Sequence, residues 1–344
     1  MKLMFFGAPG WRYVIRFIVL ACVVGQALAA PVEVAIGISP VTSSAAVFIA
    51  AEKGYFEQVG IKPLLQPFKG SAPQMVPLLA TGQLMVGGGN VTAGLYNAIT
   101  QDIPIKLVAD KGIVTPGHGY LALIVRKQHV DSGRFKTFAD LKGMTLAVTA
   151  RGVSQEIATE YYLKTAGLTL KDISLSTLAY ADMNIALANG ALDAAVQIEP
   201  YVASAVESGL AVRVAGSDEV YPNQQSAVMM YSPVFIEKYP QLAKDFMVAY
   251  VRGQRDYNDA FEKNIGRDEI IRILAKHTAM KDPAIYAKVA PVGLHPDGVL
   301  NIESLRSDAK WFVEHGYLKG EPDMDKIVDT RFVQYAVEKL GPYK

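Results

Sequence analysis

Several predicted strands are followed by a polar or glycine-containing turn, and each turn opens a predicted helix. Such turns hold free backbone N–H groups at the helix N-terminus, where hydrogen bonding and the helix dipole favour an anion. Glycine in the turn lets the backbone approach a ligand closely. Ordinary helix capping leaves the same pattern, so the turns indicate an anion site only if several of them face one cleft. The turns lie at residues 39–44, 70–72, 88–90, 151–154 and 181–182.

Side chains in or near these turns add groups that could contact an anionic ligand. Arg151 follows a predicted strand and could pair with a carboxylate or a sulfonate through two hydrogen bonds. His118, which lies between two glycines, could donate to an oxyanion, and Glu199 ends a predicted strand. Asp182 lies at a helix entrance, where it would equally serve as an ordinary N-cap. Three tyrosines could stack on a ligand or simply pack in the core: Tyr120, Tyr180 and Tyr201.

Sequence motifs for cofactor, metal or nucleophile chemistry do not occur. Residues 87–92 (Gly-Gly-Gly-Asn-Val-Thr) lack the third glycine of a dinucleotide-binding fingerprint, and no phosphate-binding loop of the Gly-x4-Gly-Lys type exists. The five histidines are scattered without the spacing of metal ligands, and there is no Gly-x-Ser-x-Gly elbow. We therefore expect no cofactor, no metal and no catalytic residue, although an enzyme could still assemble its site through space.

The composition narrows the class of protein. The chain has 344 residues, which is enough for two lobes, and 51% of them are hydrophobic, which excludes disorder. Lysine and arginine number 34 against 33 acidic residues, and this balance argues against a nucleic-acid binder. The single cysteine, Cys22, excludes a disulfide framework and a multi-cysteine metal site.

The N-terminal segment has the pattern of a secretory signal. Residues 1–29 contain three basic residues and no acid, and all three basic residues precede the apolar run 17–24. The segment ends with Ala27-Leu28-Ala29, which fits a cleavage motif. We expect this signal peptide to be removed and the mature protein to lie in the periplasm, where a chain without cysteine suits the oxidising conditions. Cys22 also fits a weak lipoprotein motif, so a lipid on that residue is the alternative.

Short apolar segments alternate with helical ones along the mature chain, which is typical of an α/β protein with mainly parallel sheets. Residues 79–87 and 187–195 share a helix end, a glycine, a turn and a buried strand, and this repeat favours two related lobes. Strands near residues 120–125 and 226–231 would carry the chain between the lobes as a two-strand hinge. A ligand would bind in the cleft between the lobes. The predicted lobes are residues 30–122 with 229–344, and residues 123–228.

Several segments resemble the periplasmic substrate-binding proteins of nitrate, sulfonate and taurine ABC importers, whose superfamily includes thiamine-precursor binders. They are residues 51–56 (Ala-Glu-Lys-Gly-Tyr-Phe), 60–61, 79–87, 140–143 (Asp-Leu-Lys-Gly), 187–200, 328–329 and 337–341. The resemblance implies a bilobal type II periplasmic-binding-protein fold, a ligand in the cleft, and delivery to an ABC permease with its cytoplasmic ATPase. By position it implies ligand contacts from Thr42, Ser43, Ser71, Gly89, Asn90, Arg151, Ser154 and Glu199.

The expected ligand is a small organic anion, a carboxylate or a sulfonate, and the tyrosines would suit an aromatic body. The first loop lacks the aromatic or glutamine residue that several sulfonate binders carry, so nitrate or a thiamine-type pyrimidine stays open. Two other classes of protein stay open as well: an enzyme similar to the thiamine pyrimidine synthases of this fold, and a secreted ligand sensor. Those synthases use a cysteine-rich iron motif, which this sequence lacks. The sequence thus predicts a monomeric solute-binding protein rather than an enzyme.

Overall fold

A computed structural model describes Met1, Met4 and residues 30–68, 74–101 and 103–344. The predicted cleavage motif, Cys22 and Ser71 lie outside the described residues, so the predictions made for them stay predictions. The segment Pro31–Lys344 forms one unit. Among the residues described, no helix combines the length and the apolar character that crossing a bilayer requires.

Strands and helices alternate through the first two thirds of this unit, and helices dominate the last third. The strands are β1 (Val32–Ile38), β2 (Ile61–Pro67), β3 (Val86–Asn90), β4 (Lys106–Val114), β5 (Leu121–Arg126), β6 (Thr145–Val148), β7 (Ser174–Thr177), β8 (Ala194–Ile198), β9 (Ala211–Gly216) and β10 (Gln224–Tyr231). The helices are α1 (Ala45–Glu52), α2 (Val76–Thr81), α3 (Ala93–Thr100), α4 (Lys127–Asp131), α5 (Ser154–Lys164), α6 (Tyr180–Asn189), α7 (Tyr201–Glu207), α8 (Pro233–Lys238), α9 (Pro240–Glu262), α10 (Arg267–His277), α11 (Ile302–Glu314), α12 (Met324–Ile327) and α13 (Arg331–Leu340).

The strands form two sheets with the same internal order. The first sheet runs β2-β1-β3-β10-β4 and the second runs β7-β6-β8-β5-β9, so β6 takes the place of β1 and β8 that of β3. The chain passes from the first sheet to the second within residues 115–120 and returns within residues 217–223. These sheets are the centres of a first and a second lobe, which confirms the predicted bilobal α/β fold. A hinge at the two crossings and the predicted lobe boundaries stay predictions.

The expectation of mainly parallel sheets is wrong, because each sheet contains as many antiparallel as parallel pairs. β10 runs antiparallel to β3 and β4, and β5 runs antiparallel to β8 and β9. Both strands are the first after a crossing. A parallel strand needs a crossover, usually a helix, that carries the chain back to the edge of the sheet where the previous strand began. β5 and β10 instead enter their sheet directly from the other lobe, and therefore they run opposite to their neighbours.

The repeat seen in the sequence corresponds to equivalent elements of the two lobes. Gly82 ends α2 with a φ of 75°, and Gly190 ends α6 with a φ of 85°. Glycine adopts this left-handed conformation at little cost, and it stops each helix before the next strand. The strands that follow, β3 and β8, hold equivalent positions in the two sheets.

Helix α9 packs closely against α1 at Gly253. A Cβ added to Gly253 would lie 2.2 Å from the carbonyl oxygen of Ala46. We expect Gly253→Ala to lower the free energy of unfolding by about 2 kcal/mol, because the two helix backbones must move apart. Gly320→Ala is the matched control, since no heavy atom lies within 4 Å of its added Cβ. Urea unfolding measures both variants, and equal midpoints would contradict the close approach of the helices.

Candidate ligand-binding site

A cleft between the two sheets is lined by residues of both lobes, and its volume is about 20 Å³. The strand ends that reach it include those of β3 in the first lobe and β8 in the second. Six of the lining residues are among those predicted from the sequence: Ser43, Gly89, Asn90, Tyr120, Ser154 and Tyr180. The others are Ser39, Val41, Lys111, Leu121, Gln155, Ile198, Ser226 and Ala227.

Lys111 is the one cationic side chain that the described part of the chain contributes to this lining. It lies in β4, it is only 2% exposed, and its ammonium donates to Ser43 Oγ at 2.9 Å. Within the described residues this hydroxyl is its one acceptor, so two of its three N–H donors remain. Burial lowers the pKa of Lys111 to about 7, although the nearby Asp110 acts in the opposite direction. A buried ammonium with two donors left is suited to bind the oxygens of an anion.

Gly88 gives the Lys111 side chain its path to the cleft. Strand β10 lies between β4 and β3, so the lysine crosses the width of one strand to reach β3. A Cβ placed on Gly88 would lie 2.9 Å from Lys111 Cε and 2.6 Å from Ile38 Cδ1. A residue with a side chain at position 88 would therefore displace the lysine, and Gly88 acts as a positioning residue.

Asp110, the neighbour of Lys111 in β4, is fully buried and bonded elsewhere. Its Oδ1 accepts from Gly112 N at 2.8 Å and from Gln225 Nε2 at 2.6 Å, and its Oδ2 accepts from His295 N at 2.7 Å. Burial raises the pKa of Asp110 to about 6, even though these donors favour the carboxylate. The carboxylate thus ties the loop around His295 to β4, and it leaves the ammonium of Lys111 available to a ligand.

The polar side chains of the cleft walls are largely bonded within the protein. Gln155 uses its amide on backbone groups of the second lobe, and its Nε2 donates to Val196 O at 2.9 Å. Ser154 Oγ donates to Ser226 O at 3.0 Å, and the Tyr120 hydroxyl is hydrogen-bonded to the Ser226 hydroxyl. These groups shape the cleft and have few donors left for a ligand.

The loops that open α3 and α5 bond to each other across the cleft. Ala93 N donates to Gly152 O at 2.9 Å, and Ser154 N donates to Val91 O at 3.1 Å. The two bonds accompany an isolated antiparallel bridge between the lobes. The backbone donor at Ser154, which the sequence suggested for an anion, is therefore used by the other lobe.

Arg151 does not line the cleft. Its guanidinium pairs with Glu156 Oε1 at 2.9 Å, and its Nε donates to the Tyr317 hydroxyl at 3.1 Å. Tyr317 in turn donates to the Glu156 carboxylate at 2.9 Å. The structure thus ties Arg151 to the C-terminal segment of the chain, and its predicted pairing with a ligand stays a prediction.

Thr42 and Glu199 join the lobes beside the cleft. Thr42 Oγ1 donates to the backbone oxygen of Glu199 at 3.1 Å. The Glu199 carboxylate accepts from Ala203 N at 3.0 Å and from Ala290 N at 3.1 Å. Burial raises the pKa of Glu199 to about 7. Neither side chain is among the lining residues, so a ligand contact from either of them stays a prediction.

Three further predicted residues lie outside the lining. His118, in the first crossing, pairs with Glu262 at 2.8 Å. Asp182 is exposed in the first turn of α6. Tyr201 stacks on Tyr180 with ring centroids 6.3 Å apart, so it packs against a residue of the lining.

Sequence reasoning missed Lys111, Gln155 and Ser226. For Lys111 a signal exists, because Asp110 and Lys111 are adjacent charges inside the otherwise apolar segment 107–114. Charged residues are rarely buried in a strand without a partner or a function, so this pair could have indicated the site. Gln155 and Ser226 carry no comparable signal, because polar residues of these types are common at strand and helix ends.

The cleft offers two kinds of chemistry. The Lys111 ammonium can bind an anion, and Ser43 Oγ lies 2.9 Å from the same nitrogen. A serine hydroxyl beside an amine of lowered pKa is also the arrangement of Ser–Lys hydrolases, in which the amine takes the hydroxyl proton. In the described part of the chain, no group of three or more His, Cys, Asp or Glu residues could hold a metal ion.

Solved structures with this fold include both binding proteins and an enzyme. The alkanesulfonate-binding protein SsuA from Xanthomonas axonopodis pv. citri, bound to MOPS, is 20% identical with a TM-score of 0.71, over 88% of this chain and 99% of that chain. The periplasmic nitrate-binding protein NrtA from Synechocystis PCC 6803 is 17% identical with a TM-score of 0.70, over 90% of this chain and 89% of that chain. The desulfurization enzyme DSZB is 12% identical with a TM-score of 0.62, over 89% and 99%.

These likenesses confirm the predicted resemblance to sulfonate- and nitrate-binding proteins at the level of the fold. No curated protein is similar enough in sequence to count as a relative. A family model, however, matches residues 28–275, which is well over half of the sequence. The chain therefore belongs to the NMT1-like family.

Proposed function

We propose that this protein is the solute-binding component of an ABC importer. In this proposal it captures a small organic anion, a carboxylate or a sulfonate, in the cleft and delivers it to a membrane permease with its ATPase. The observation that carries the proposal is the buried Lys111 ammonium, which keeps two N–H donors and has no carboxylate partner among the described residues. An anion would supply the missing counter-charge.

The solved proteins of the same fold support this proposal. One is by name an alkanesulfonate-binding protein and another a periplasmic nitrate-binding protein, and both names refer to anions. The signal-like pattern of residues 1–29 supports the same periplasmic location for this chain.

Lys111→Met tests the proposal, because methionine keeps most of the side-chain volume and removes the charge. Losing a charge-assisted hydrogen bond to a ligand costs about 1.5–3 kcal/mol. We therefore expect binding of the anion probes to weaken by about 10- to 150-fold. Isothermal titration of the full chain with acetate, methanesulfonate and nitrate measures the change.

Lys62→Met is the matched control. Lys62 lies in β2 of the same sheet, its side chain is 60% exposed, and it pairs with Glu33 at 2.9 Å. An exposed pair of this kind contributes little, so binding should stay within about twofold of wild type. If none of the three probes binds the wild type, or if both variants bind them equally well, the proposed anion site is contradicted.

Hydrolysis by a Ser–Lys pair is a second candidate, and the distance of 2.9 Å between Ser43 Oγ and Lys111 Nζ favours it. The likeness to the desulfurization enzyme is a reason to test for it. A serine that attacks an acyl or phosphonyl group would retain that group as a covalent adduct. Intact-mass spectrometry after incubation with a fluorophosphonate distinguishes hydrolysis from reversible binding. A covalent adduct that Ser43→Ala abolishes supports the hydrolase, whereas an unmodified mass supports reversible binding.

A further inference from the structure

We propose that the cleft selects a compact monoanion, a carboxylate or sulfonate of the size of acetate or methanesulfonate, and excludes aromatic ligands and dianions. This inference rests on the proposed function and names the ligand class of the same site. It departs from the expectation that the tyrosines hold an aromatic body. Four features of the cleft support it: its charge, its free donors, its volume and the bonds that close it.

The charge of the cleft favours one negative charge on the ligand. Among the residues that the structure describes, Lys111 supplies the one cation of the lining. Arg151 is outside the lining and is already paired with Glu156 at 2.9 Å. The carboxylate of Asp110, the residue next to Lys111, is fully buried and bonded to Gly112 N, Gln225 Nε2 and His295 N, so it offers no positive charge to a ligand. A second negative charge on the ligand would therefore be buried without a partner, which is costly.

The free donors match a single oxyanion head group. Lys111 keeps two N–H donors, and the Ser43 hydroxyl accepts from the same ammonium while its own proton stays available. Ser154 and Gln155 donate to backbone oxygens of the protein, and Ser226 is bonded in the same way. Among the described residues, the Lys111 ammonium and the Ser43 hydroxyl thus leave donors that lie close together, where they can bind the oxygens of one carboxylate or sulfonate.

The volume of the cleft limits the size of the ligand. The volume of about 20 Å³ exceeds only slightly what a single water needs. Pockets for drug-sized ligands are more than about ten times as large. An acetate-sized ion requires small adjustments of the lining, whereas an aromatic ring requires the lobes to move apart.

Bonds between the lobes oppose such a movement. The pairs Ala93 N–Gly152 O at 2.9 Å and Ser154 N–Val91 O at 3.1 Å close the cleft directly beside the lining residue Ser154. An aromatic ligand that holds the lobes apart would break these bonds and expose their groups. A compact ligand leaves them intact, so closure contributes to its affinity.

Two matched pairs of probes separate size from charge. Acetate and benzoate carry the same charge and head group and differ in size, whereas methanesulfonate and sulfate are similar in size and differ by one charge. Isothermal titration of the full chain at pH 6.5 and constant ionic strength should give binding at least about 20-fold tighter for acetate than for benzoate, and for methanesulfonate than for sulfate.

Tyr180→Ala probes the size limit from the side of the protein. Tyr180 lines the cleft and is 8% exposed, so its truncation enlarges the cavity. We expect the preference for acetate over benzoate to fall by about tenfold. Tyr201→Ala, which removes the stacking partner outside the lining, should keep that preference within about threefold.

The outcomes distinguish this inference from the proposed function. If benzoate or sulfate binds as tightly as its partner, or more tightly, the compact monoanion is overturned while the anion site stands. If none of the four probes binds, the proposed function itself fails. The wild-type comparison alone decides the inference if the Tyr180 variant does not fold.

Discussion

Replacing Asp110 with alanine should lower the free energy of unfolding by about 4 kcal/mol. The carboxylate is fully buried and accepts from Gly112 N, Gln225 Nε2 and His295 N at 2.8, 2.6 and 2.7 Å. Alanine leaves Gly112 N and His295 N without an acceptor, whereas Gln225 Nε2 keeps Ala227 O at 2.9 Å. Each buried donor left unpaired costs about 1–3 kcal/mol. Urea unfolding at neutral pH, followed by circular dichroism, measures the loss.

Two further variants make this result specific. Asp131→Ala removes a side chain that is 57% exposed and pairs with Lys127 at 2.6 Å, and it should change stability by less than about 0.5 kcal/mol. Asp110→Asn keeps the shape of the side chain but places an NH2 group against one of the N–H donors. Its loss in the free energy of unfolding should therefore lie between those of Asp131→Ala and Asp110→Ala. An alanine variant that unfolds at the wild-type urea concentration would contradict a stabilising role for the network.

Most of the fold is predictable from local sequence patterns. Gly82 and Gly190 end helices in both halves of the chain, and the repeated pattern around them indicated two related lobes. The direction of β5 and β10 was not predictable in this way. An apolar strand has the same pattern in either direction, and the direction depends on how the crossings at 115–120 and 217–223 enter each sheet.

The site was only partly predictable because side-chain partners come from distant parts of the chain. The turns containing Ser43, Asn90 and Ser154 do converge on one cleft, as strand-to-helix turns of facing sheets are expected to do. Arg151 sits in such a turn, but Tyr317 contacts it from 166 positions away. No local pattern indicates that contact, and the same is true of the path that Gly88 opens for Lys111.

Anion binding should weaken about 100-fold between pH 6 and pH 9. Burial lowers the pKa of Lys111 to about 7, so above that pH the free cleft holds a neutral amine. An anion binds the ammonium, and at higher pH it must draw a proton onto the lysine when it binds. The dissociation constant should therefore rise about tenfold per pH unit above the pKa, while below the pKa it stays constant. Titration with methanesulfonate measures this, because the probe keeps its charge throughout the range.

The number of protons taken up on ligand binding can be measured by calorimetry, and this measurement links the pH effect to Lys111. At pH 8 nearly one proton per ligand should be taken up, so the heats of binding in imidazole and Tris buffers should differ by nearly the full difference between the two buffers' ionisation enthalpies. Lys111→Arg keeps the positive charge with a group that does not titrate in this range, so its affinity should be independent of pH and its proton uptake absent. A wild-type affinity that stays constant from pH 6 to pH 9 would contradict the role of the lysine, because a buried ammonium that neutralises the ligand cannot lose its proton without loss of binding.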